Sequence, residues 1–309
     1  MKLLLIGAGR TGSHAAALIA AKLSKKDELR VIDRDALEES NLQGCALYAK
    51  KDLGELKAGL LAKKISGKAK ATITSFCEHL SQENVEKLAG GARIVIDCTD
   101  NWQTRMLLNE FCWKKGIPWI YAGAIKDRAM CSTIVPRYTP CFACWAAKPE
   151  KVQSCSEQGV DRHALKQIAK VQVGEVLALL KGKTPKLAGR LFFYHARKGV
   201  GKTIALERNL ACSFCVKGKS PYKQDSATVM CGGSEWLFEN GELAKNKILS
   251  AKEIYSKLEG MERKNFGSVV KVNFRGSEAT VFPTGRVMVR GGKKAAACAA
   301  NHAILQKIS

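Results

Sequence analysis

The fold is decided near the start of the chain, by the stretch Leu3-Leu4-Leu5-Ile6-Gly7-Ala8-Gly9-Arg10-Thr11-Gly12-Ser13-His14. Its first four residues are apolar and predict a short buried strand, and the Ala-rich run from Ala15 to Leu23 predicts a helix. Gly7 and Gly9 let backbone N–H groups approach a phosphate, whereas Gly12 lets the helix pack closely against the strand. Strand, glycine loop and helix in this order predict a nucleotide site; the alternative is an α/β unit whose crevice stays empty.

A second strand ends in an acid at the spacing that a nucleotide site requires. Asp33 ends the predicted second strand, Leu29-Arg30-Val31-Ile32, and stands 21 residues after Gly12, where a carboxylate meets ribose hydroxyls. Asp35 and Asn41 follow in the next loop, at the carboxyl end of that strand, where ligands bind in such sheets. Two acids and an amide are more than a ribose needs, so the loop favours a triphosphate with a metal ion.

Further along the chain, a lysine and an acid stand at the ends of predicted elements. Lys57 begins a predicted helix, from which its ammonium can offset charge that develops on phosphate. Asp100 follows the apolar strand 93–97 and offers the hard oxygen ligands that Mg²⁺ prefers. Arg105 lies one turn into the next predicted helix. Each residue alone is more typical of a cap or a surface position, but their joint placement at strand ends indicates a site.

Length and composition indicate a large domain followed by a small one. Through about residue 135, near-continuous apolar strands alternate with helices, so we expect an α/β, Rossmann-like, mainly parallel sheet with helices on both faces. From about Gln224 the strands alternate polar and apolar residues, and an Ala-rich helix closes the chain. We therefore predict two domains, residues 1–220 and 224–309, the second a small α+β domain.

The N-terminal apolar run resembles a signal peptide, but glycines and Arg10 interrupt it, so we expect a cytoplasmic protein. No stretch approaches the roughly 20 apolar residues of a membrane span, and no membrane partner is expected. The formal charge of +23 favours an anionic partner such as nucleic acid, an acidic protein or a nucleotide. A lysine-rich solvated surface explains the same charge equally well.

Four of the twelve cysteines form two CxxC pairs, Cys141 with Cys144 and Cys212 with Cys215. Two such pairs supply the four thiolates of a closed tetrahedral zinc site, which leaves no position open for catalysis. The predicted zinc is therefore structural; the alternatives are a redox pair or incidental thiols. Six other cysteines are most simply buried small apolar residues, namely Cys45, Cys77, Cys98, Cys112, Cys131 and Cys298.

Taken together, the motifs from residue 3 to about 218 resemble the ThiF/MoeB family, which includes ubiquitin-activating-like enzymes. The resemblance is carried by Gly7 to Gly12, Asp33-Arg34-Asp35, Ser40-Asn41-Leu42-Gln43, the segment of Lys57, Cys98-Thr99-Asp100-Asn101 and the approach Arg208 to Cys212. It implies ATP-dependent adenylation of the C-terminal glycine of a ubiquitin-fold carrier protein ending in Gly-Gly, by a homodimer. By this likeness Asp33 holds the ribose, Lys57 and Asn41 the phosphates, and Asp100 the magnesium, with Arg105 as a supporting ligand.

Cys155 stands where some relatives carry a reactive cysteine before a Gly-Val helix start. A thiolate near a helix N-terminus has a lowered pKa, and it would take the acyl group from the adenylate. Because some relatives stop at the adenylate, both outcomes stay open. Cys231 is a weaker rival.

The sequence also departs from the family pattern. After Asn41-Leu42-Gln43 the family usually has an arginine that contacts the triphosphate, but here Gly44 and Cys45 follow. The chain begins close to its first strand, so we expect it to lack the N-terminal arm that often gives an arginine to the partner subunit. Both losses should slow adenylation, and Arg10 in the glycine loop is a candidate substitute.

Two other functions compete with adenylation of a carrier protein. A tRNA-modifying dehydratase of the same superfamily fits the basic charge, but that branch usually lacks paired CxxC motifs. A catalytically weak nucleotide-binding scaffold fits the missing arginines. A nicotinamide dehydrogenase shares the glycine loop but gives no reason for the group Asn41, Lys57 and Asp100.

Overall fold

Two sheets organise the molecule. The computed structural model describes residues 1–42, 44–45, 47–146, 160–220, 227–229, 235–238, 240, 249–291 and 293–308. The first sheet has eight strands: β1 Lys2–Ile6, β2 Glu28–Ile32, β3 Thr72–Phe76, β4 Ile94–Asp97, β5 Trp119–Ile125, β6 Arg128–Ile134, β7 Arg190–His195 and β8 Val200–Ala205. Their order is β3-β2-β1-β4-β5-β6-β7-β8, with parallel pairing from β3 to β5 and antiparallel pairing from β5 to β8. The predicted mainly parallel sheet is confirmed.

Helices cover both faces of this sheet. They are α1 Arg10–Ala20, α2 Glu39–Leu42, α3 Lys57–Ser66, α4 Val85–Ala89, α5 Trp102–Lys115, α6 Phe142–Trp145 and α7 Arg162–Leu180. Strand β1 shows why its residues are all apolar: Leu3 and Leu5 pack in the core with α1, α3 and α7, whereas Leu4 and Ile6 pack in the core with α4 and α5. In the described part of the chain, no helix is both long and apolar enough to cross a membrane.

The second sheet is antiparallel and lies in the C-terminal part. Its strands are β9 Ala227–Val229, β10 Glu235–Phe238, β11 Glu262–Asn265, β12 Val270–Phe274, β13 Ser277–Val281 and β14 Val287–Arg290, in the order β11-β12-β13-β14-β10-β9. Helix α8 Ala251–Lys257 and helix α9 Lys294–Ile308 pack against it. We call β9 to α9 the C-terminal unit. Residue 224, the predicted start of a second domain, lies outside the described residues, and the division into domains stays a prediction.

The C-terminal unit packs against the loop that follows β2 and the segment that leads into α3. Ala36 and Leu56, which form an isolated β-bridge, share an apolar cluster with residues of the C-terminal unit. These residues are Leu237, Phe266, Val269, Phe282 and Met288. The C-terminal unit is therefore attached directly to the polypeptide that carries Asp35 and Lys57.

One local expectation is wrong. Cys298 is exposed rather than buried, since α9 turns its other face, with Ala297, Ala300 and Ile304, to the core. Cys98, Cys112 and Cys131 are buried as expected, and Cys45 and Cys77 are half-buried.

Candidate functional site

A cavity of about 450 Å³ opens at the carboxyl ends of β1, β2 and β4. Its wall contains most of the predicted nucleotide-site residues: Gly7, Gly9, Arg10, Asp33, Asp35, Asn41, Lys57, Asp100 and Arg105. Gly12 lies behind the wall. Gln43, Cys155 and Cys231 lie outside the residues that the structure describes. The topology thus brings together side chains from four separate parts of the chain, as the strand-end rule predicts.

The glycine loop is held by close backbone contacts. At Gly7, which has a φ of +92°, a Cβ would stand 2.6 Å from the carbonyl oxygen of Cys98. At Gly12 a Cβ would stand 1.8 Å from the carbonyl oxygen of Gly7, so only glycine lets α1 begin this close to β1. A Cβ on Gly9 would meet open space, which leaves the N-terminus of α1 free to receive an anion.

Asp33 anchors the glycine loop to the end of β2. Its Oδ2 accepts the N–H of Ala8 at 2.6 Å, and its Oδ1 accepts the N–H of Asp35 at 2.8 Å. Burial and the neighbouring carboxylate of Asp35 raise the pKa of Asp33. The residue therefore fixes the shape of the loop, and its function as a ribose ligand stays a prediction.

Lys57 and Asp35 form an ion pair in the cavity wall, in which Lys57 is buried and Asp35 is half-buried. Helix α3 begins at Lys57, which is 7% exposed, and its Nζ donates to Asp35 Oδ2 at 3.3 Å. Burial by itself would lower the pKa of Lys57, but Asp35 and Asp33 outweigh burial and raise it. Burial by itself would raise the pKa of Asp35, but Lys57, Arg34 and Arg286 hold it far below its usual range. Lys57 is accordingly a fixed positive charge beside the glycine loop.

A second acid–base pair, Asp97 with Arg105, supports the loop that carries Asp100. Arg105 Nε donates to Asp97 Oδ2 at 3.2 Å, and its Nη2 donates to the carbonyl oxygens of Thr99 and Ala122. Burial raises the pKa of Asp97, against the effect of Arg105. Asp100 itself is exposed at the cavity edge. Asp97 was missed from the sequence, although an acid closing an apolar strand was a signal for it.

Arg10 and Asn41 both line the cavity, and each is held by a residue of the segment that follows β2. Arg10 Nη2 donates to the carbonyl oxygen of Ser40 at 3.0 Å, and Asn41 Oδ1 accepts the N–H of Glu38 at 3.1 Å. The Cδ of Arg10 lies 3.4 Å from where a Cβ on Gly44 would stand. The Arg10 side chain therefore lies against the position that follows Asn41-Leu42-Gln43, where the sequence lacks the arginine typical of the family.

The opposite wall contains a pair that the sequence analysis did not identify. Arg34 is 8% exposed, and its Nη1 lies 2.6 Å from His79 Nδ1. Burial, together with Arg34 and Arg286, lowers the pKa of His79 well below its ordinary value, so the neutral ring accepts this hydrogen bond. His79 follows β3 at its carboxyl end, which was the one available signal.

The four CxxC cysteines come together away from this cavity. The sulfur atoms of Cys141, Cys144, Cys212 and Cys215 all lie within 4.8 Å of one another, and the shortest pair, Cys144 with Cys215, is 3.5 Å apart. Trp113 and Phe214 pack around them. Four cysteine sulfurs at these separations are the donor set of a closed zinc site, so the cluster could bind zinc.

A comparison with protein families matches residues 1–214 to the ThiF family. The chain belongs to the ThiF family. The resemblance expected from the glycine loop, the Asp33 segment and the Asp100 segment is thereby confirmed. This match ends before the C-terminal unit begins.

Relatives within the ThiF family extend the match. The SAMP-activating enzyme E1 of Haloferax volcanii is 31% identical over 221 residues, which cover 70% of this chain and 81% of the relative. The sulfur carrier protein ThiS adenylyltransferase of Bacillus subtilis is 26% identical over 295 residues, covering 93% of this chain and 87% of the relative, so that match reaches into the C-terminal unit. The names of such relatives confirm the prediction of an adenylyltransferase-type enzyme.

Solved structures confirm the fold. E. coli MccB with ATP superimposes with a TM-score of 0.60 at 18% identity, covering 69% of this chain and 66% of that chain. The complex of MccB with MccA-N7isoAsn gives a TM-score of 0.61 at 18% identity, with the same coverage of both chains. At this identity the likeness supports the architecture of the ThiF-family sheet.

Proposed function

We propose that the chain uses ATP to adenylate the C-terminal glycine of a ubiquitin-like or sulfur carrier protein. The observation that carries the proposal is that the glycine loop, Asp33, Lys57 and Asp100 line one and the same cavity. The SAMP-activating and ThiS-adenylating relatives support the choice of substrate class. The charge of +23 suits an acidic carrier through electrostatic steering.

In the proposed reaction the carrier carboxylate attacks the α-phosphorus of ATP. A bond forms from the carboxylate oxygen to phosphorus, the bond from phosphorus to the bridging oxygen breaks, and pyrophosphate leaves. Lys57 offsets the negative charge that develops on the phosphates, and the N-terminus of α1 donates N–H groups to them. Asn41 and Arg10 complete the phosphate side, whereas Asp33 holds the ribose.

Two metal ions belong to the proposal. Asp100 would hold Mg²⁺, which neutralises phosphate charge when bound, and Arg105 keeps the Asp100 loop in place through Thr99. Zinc at the cysteine cluster would tie the turn of Cys141 and Cys144 to that of Cys212 and Cys215. This second ion is structural, because four thiolates fill a tetrahedral site.

A covalent step and a homodimer complete the proposal. The Cys155 thiolate would attack the acyl carbon of the adenylate and release AMP, which leaves a thioester on the enzyme. A thiol-sensitive adduct that is lost in Cys155→Ala is the expected result, and an adduct that persists in this variant contradicts the step.

The proposal also includes the homodimer expected from the family. A mass of twice the monomer mass, measured by light scattering, would support it.

ATP–pyrophosphate exchange with Mg²⁺ tests the reaction, with a panel of Gly-Gly-ending ubiquitin-fold proteins and with tRNA. We expect exchange that requires one Gly-Gly protein, is abolished in Lys57→Met and is unchanged in Lys63→Met, a control at an exposed lysine of the same helix. Exchange that depends on tRNA instead would favour the dehydratase. ATP binding without exchange with any substrate would favour the nucleotide-binding scaffold.

A further inference from the structure

Arg286 is a buried arginine of the C-terminal unit that reaches the first sheet. It lies in the turn between β13 and β14, where Phe282 N–H donates to the Arg286 carbonyl oxygen at 2.9 Å. The residue is 3% exposed, and its guanidinium carbon lies 4.4 Å from the centroid of the Phe282 ring. A guanidinium this deeply buried is costly unless it is paired, so its partners indicate its function.

Those partners belong to the cavity wall. Arg286 Nη2 donates to the carbonyl oxygen of Arg34, the residue between the two acids Asp33 and Asp35. Arg34 in turn places its Nε 3.4 Å from Asp35 Oδ1 and its Nη1 against His79. The C-terminal unit thus holds the backbone on which the acidic side of the cavity is built.

The same backbone positions Lys57. The N–H of Lys57 donates to the carbonyl oxygen of Asp35 at 2.8 Å, in addition to the ion pair between their side chains. The N–H of Leu37 donates to Glu55 at 2.8 Å, so residues 35–37 and 55–57 form one short ladder. A displacement at Arg34 would therefore be passed on to the first residue of α3.

Charge reinforces this geometry. Arg286, with Lys57 and Arg34, is among the cations that lower the pKa of Asp35 against the effect of burial. Coulomb potentials add, so each cation beside Asp35 offsets part of the negative potential that Asp35 produces in the cavity. The potential near Lys57 is then more favourable to a phosphate.

We propose that Arg286 is a positioning residue for the nucleotide site: it fixes the Arg34 backbone and shares the Asp35 charge, so that Lys57 faces the phosphates of ATP. The C-terminal unit is then part of the adenylation apparatus rather than an attachment to it. This inference rests on the proposed function, because it assigns Lys57 to the phosphates.

Two substitutions at Arg286 and one control test the inference in the full chain. Arg286→Met removes the charge but keeps a long apolar stem, and Arg286→Lys keeps the charge but loses the planar fork. Arg263→Met removes an arginine of the C-terminal unit whose Nη1 donates to the carbonyl oxygen of Ser256 at 3.2 Å, a contact that does not involve the cavity wall. Calorimetry would measure the affinity of each variant for a non-hydrolysable ATP analogue and for AMP.

We expect Arg286→Met to lower the affinity for the ATP analogue about tenfold, which is within the usual range of coupling between sites. The affinity for AMP should fall by less than about twofold. Arg286→Lys should recover part of the difference, and Arg263→Met should leave the ratio of the two affinities as in the parent chain. An unchanged ratio of the two affinities, with or without an equal loss of both, would show that Arg286 has only a structural role. If Arg286→Met does not fold, the same ratio in Arg286→Lys decides.

Pyrophosphate exchange in the parent chain separates the two proposals. Absence of exchange with every carrier refutes the proposed function, while the affinity ratio still tests whether Arg286 positions a phosphate-binding lysine. Exchange in the parent chain, together with an unchanged kcat and KM for ATP in folded Arg286→Met, refutes the inference about Arg286 and leaves the proposed function in place.

Discussion

The cavity at the carboxyl ends of β1, β2 and β4 and the cysteine cluster each assemble side chains from distant parts of the chain, but with opposite chemistry. The cavity holds charged groups of both signs, such as Lys57 with Asp35 and Arg105 with Asp97, and it stays open at Asp100. The cluster holds one kind of ligand, and the sulfur atoms of Cys141 and Cys212 are buried 3.8 Å apart. An open site with fixed charges suits catalysis, whereas a closed set of identical donors suits stability.

The largest expected effect separates activity from stability in the cavity. Asp100→Asn should reduce pyrophosphate exchange about 100- to 1000-fold, because it removes the proposed magnesium ligand from an electrostatically organised site. The midpoint of thermal unfolding should barely move, since Asp100 is exposed. Glu207→Gln, at an exposed acid outside the cavity, is the control. A parallel loss of stability and activity in Asp100→Asn would remove the contrast between the two sites.

The cysteine cluster should show the reverse pattern. Cys144→Ser should lose the bound zinc and lower the unfolding midpoint by about 10 °C, if the site contributes roughly 3 to 4 kcal/mol at this chain length. Metal analysis measures the zinc content and calorimetry measures the unfolding midpoint. Cys298→Ser, at an exposed thiol, is the control. One zinc per chain retained in Cys144→Ser would contradict a four-thiolate site.

A smaller effect is expected at the mouth of the cavity. Arg10→Ala should lower kcat for ATP turnover about tenfold and change the ATP affinity by less than about twofold, because the side chain would act on charge that develops in the transition state. Steady-state kinetics and calorimetry give the two numbers. Unchanged turnover would show that Arg10 does not replace the arginine that the family usually has.

The smallest effect concerns stability against pH in the cavity wall. The pKa of His79 is lowered in the folded chain by burial and by Arg34, so below about pH 6.5 the unfolded chain binds a proton that the folded chain does not. Stability should therefore fall as the pH drops from 7 to 5, by at most about 1.4 kcal/mol per pH unit from this residue. Urea unfolding at several pH values gives the slope of the unfolding free energy against pH. This slope should be shallower in His79→Gln than in the parent chain, and it should equal that of the parent chain in His302→Gln, at an exposed histidine. Equal slopes in all three chains would contradict a neutral His79.

Local patterns predicted the parts of the site that a strand end or a short motif encodes. The glycine loop, Asp33 and the position of Lys57 at the start of α3 follow from periodicity and from the rule that parallel strand ends meet at one edge. The clustering of the two CxxC pairs follows from the ligand number of zinc.

The rest depends on tertiary contacts that no local pattern shows. The pairing of Arg34 with His79 joins the ends of two neighbouring strands across 45 residues, and that of Arg286 with Arg34 spans 252 residues. Strand β11 was missed because its sequence, Glu262–Asn265, is polar throughout and is held by pairing with β12 rather than by an apolar face.

The contact between Arg286 and Arg34 also orders events in time during synthesis. The ribosome adds the later residue 252 positions after the earlier one, which takes roughly 13 to 50 s at about 5 to 20 residues per second. Until the C-terminal unit is synthesised, the loop after β2 lacks the surface that covers Ala36 and Leu56. A nascent chain therefore has every strand of its first sheet and every residue that lines the cavity before it has Arg286, the residue that holds the Arg34 backbone.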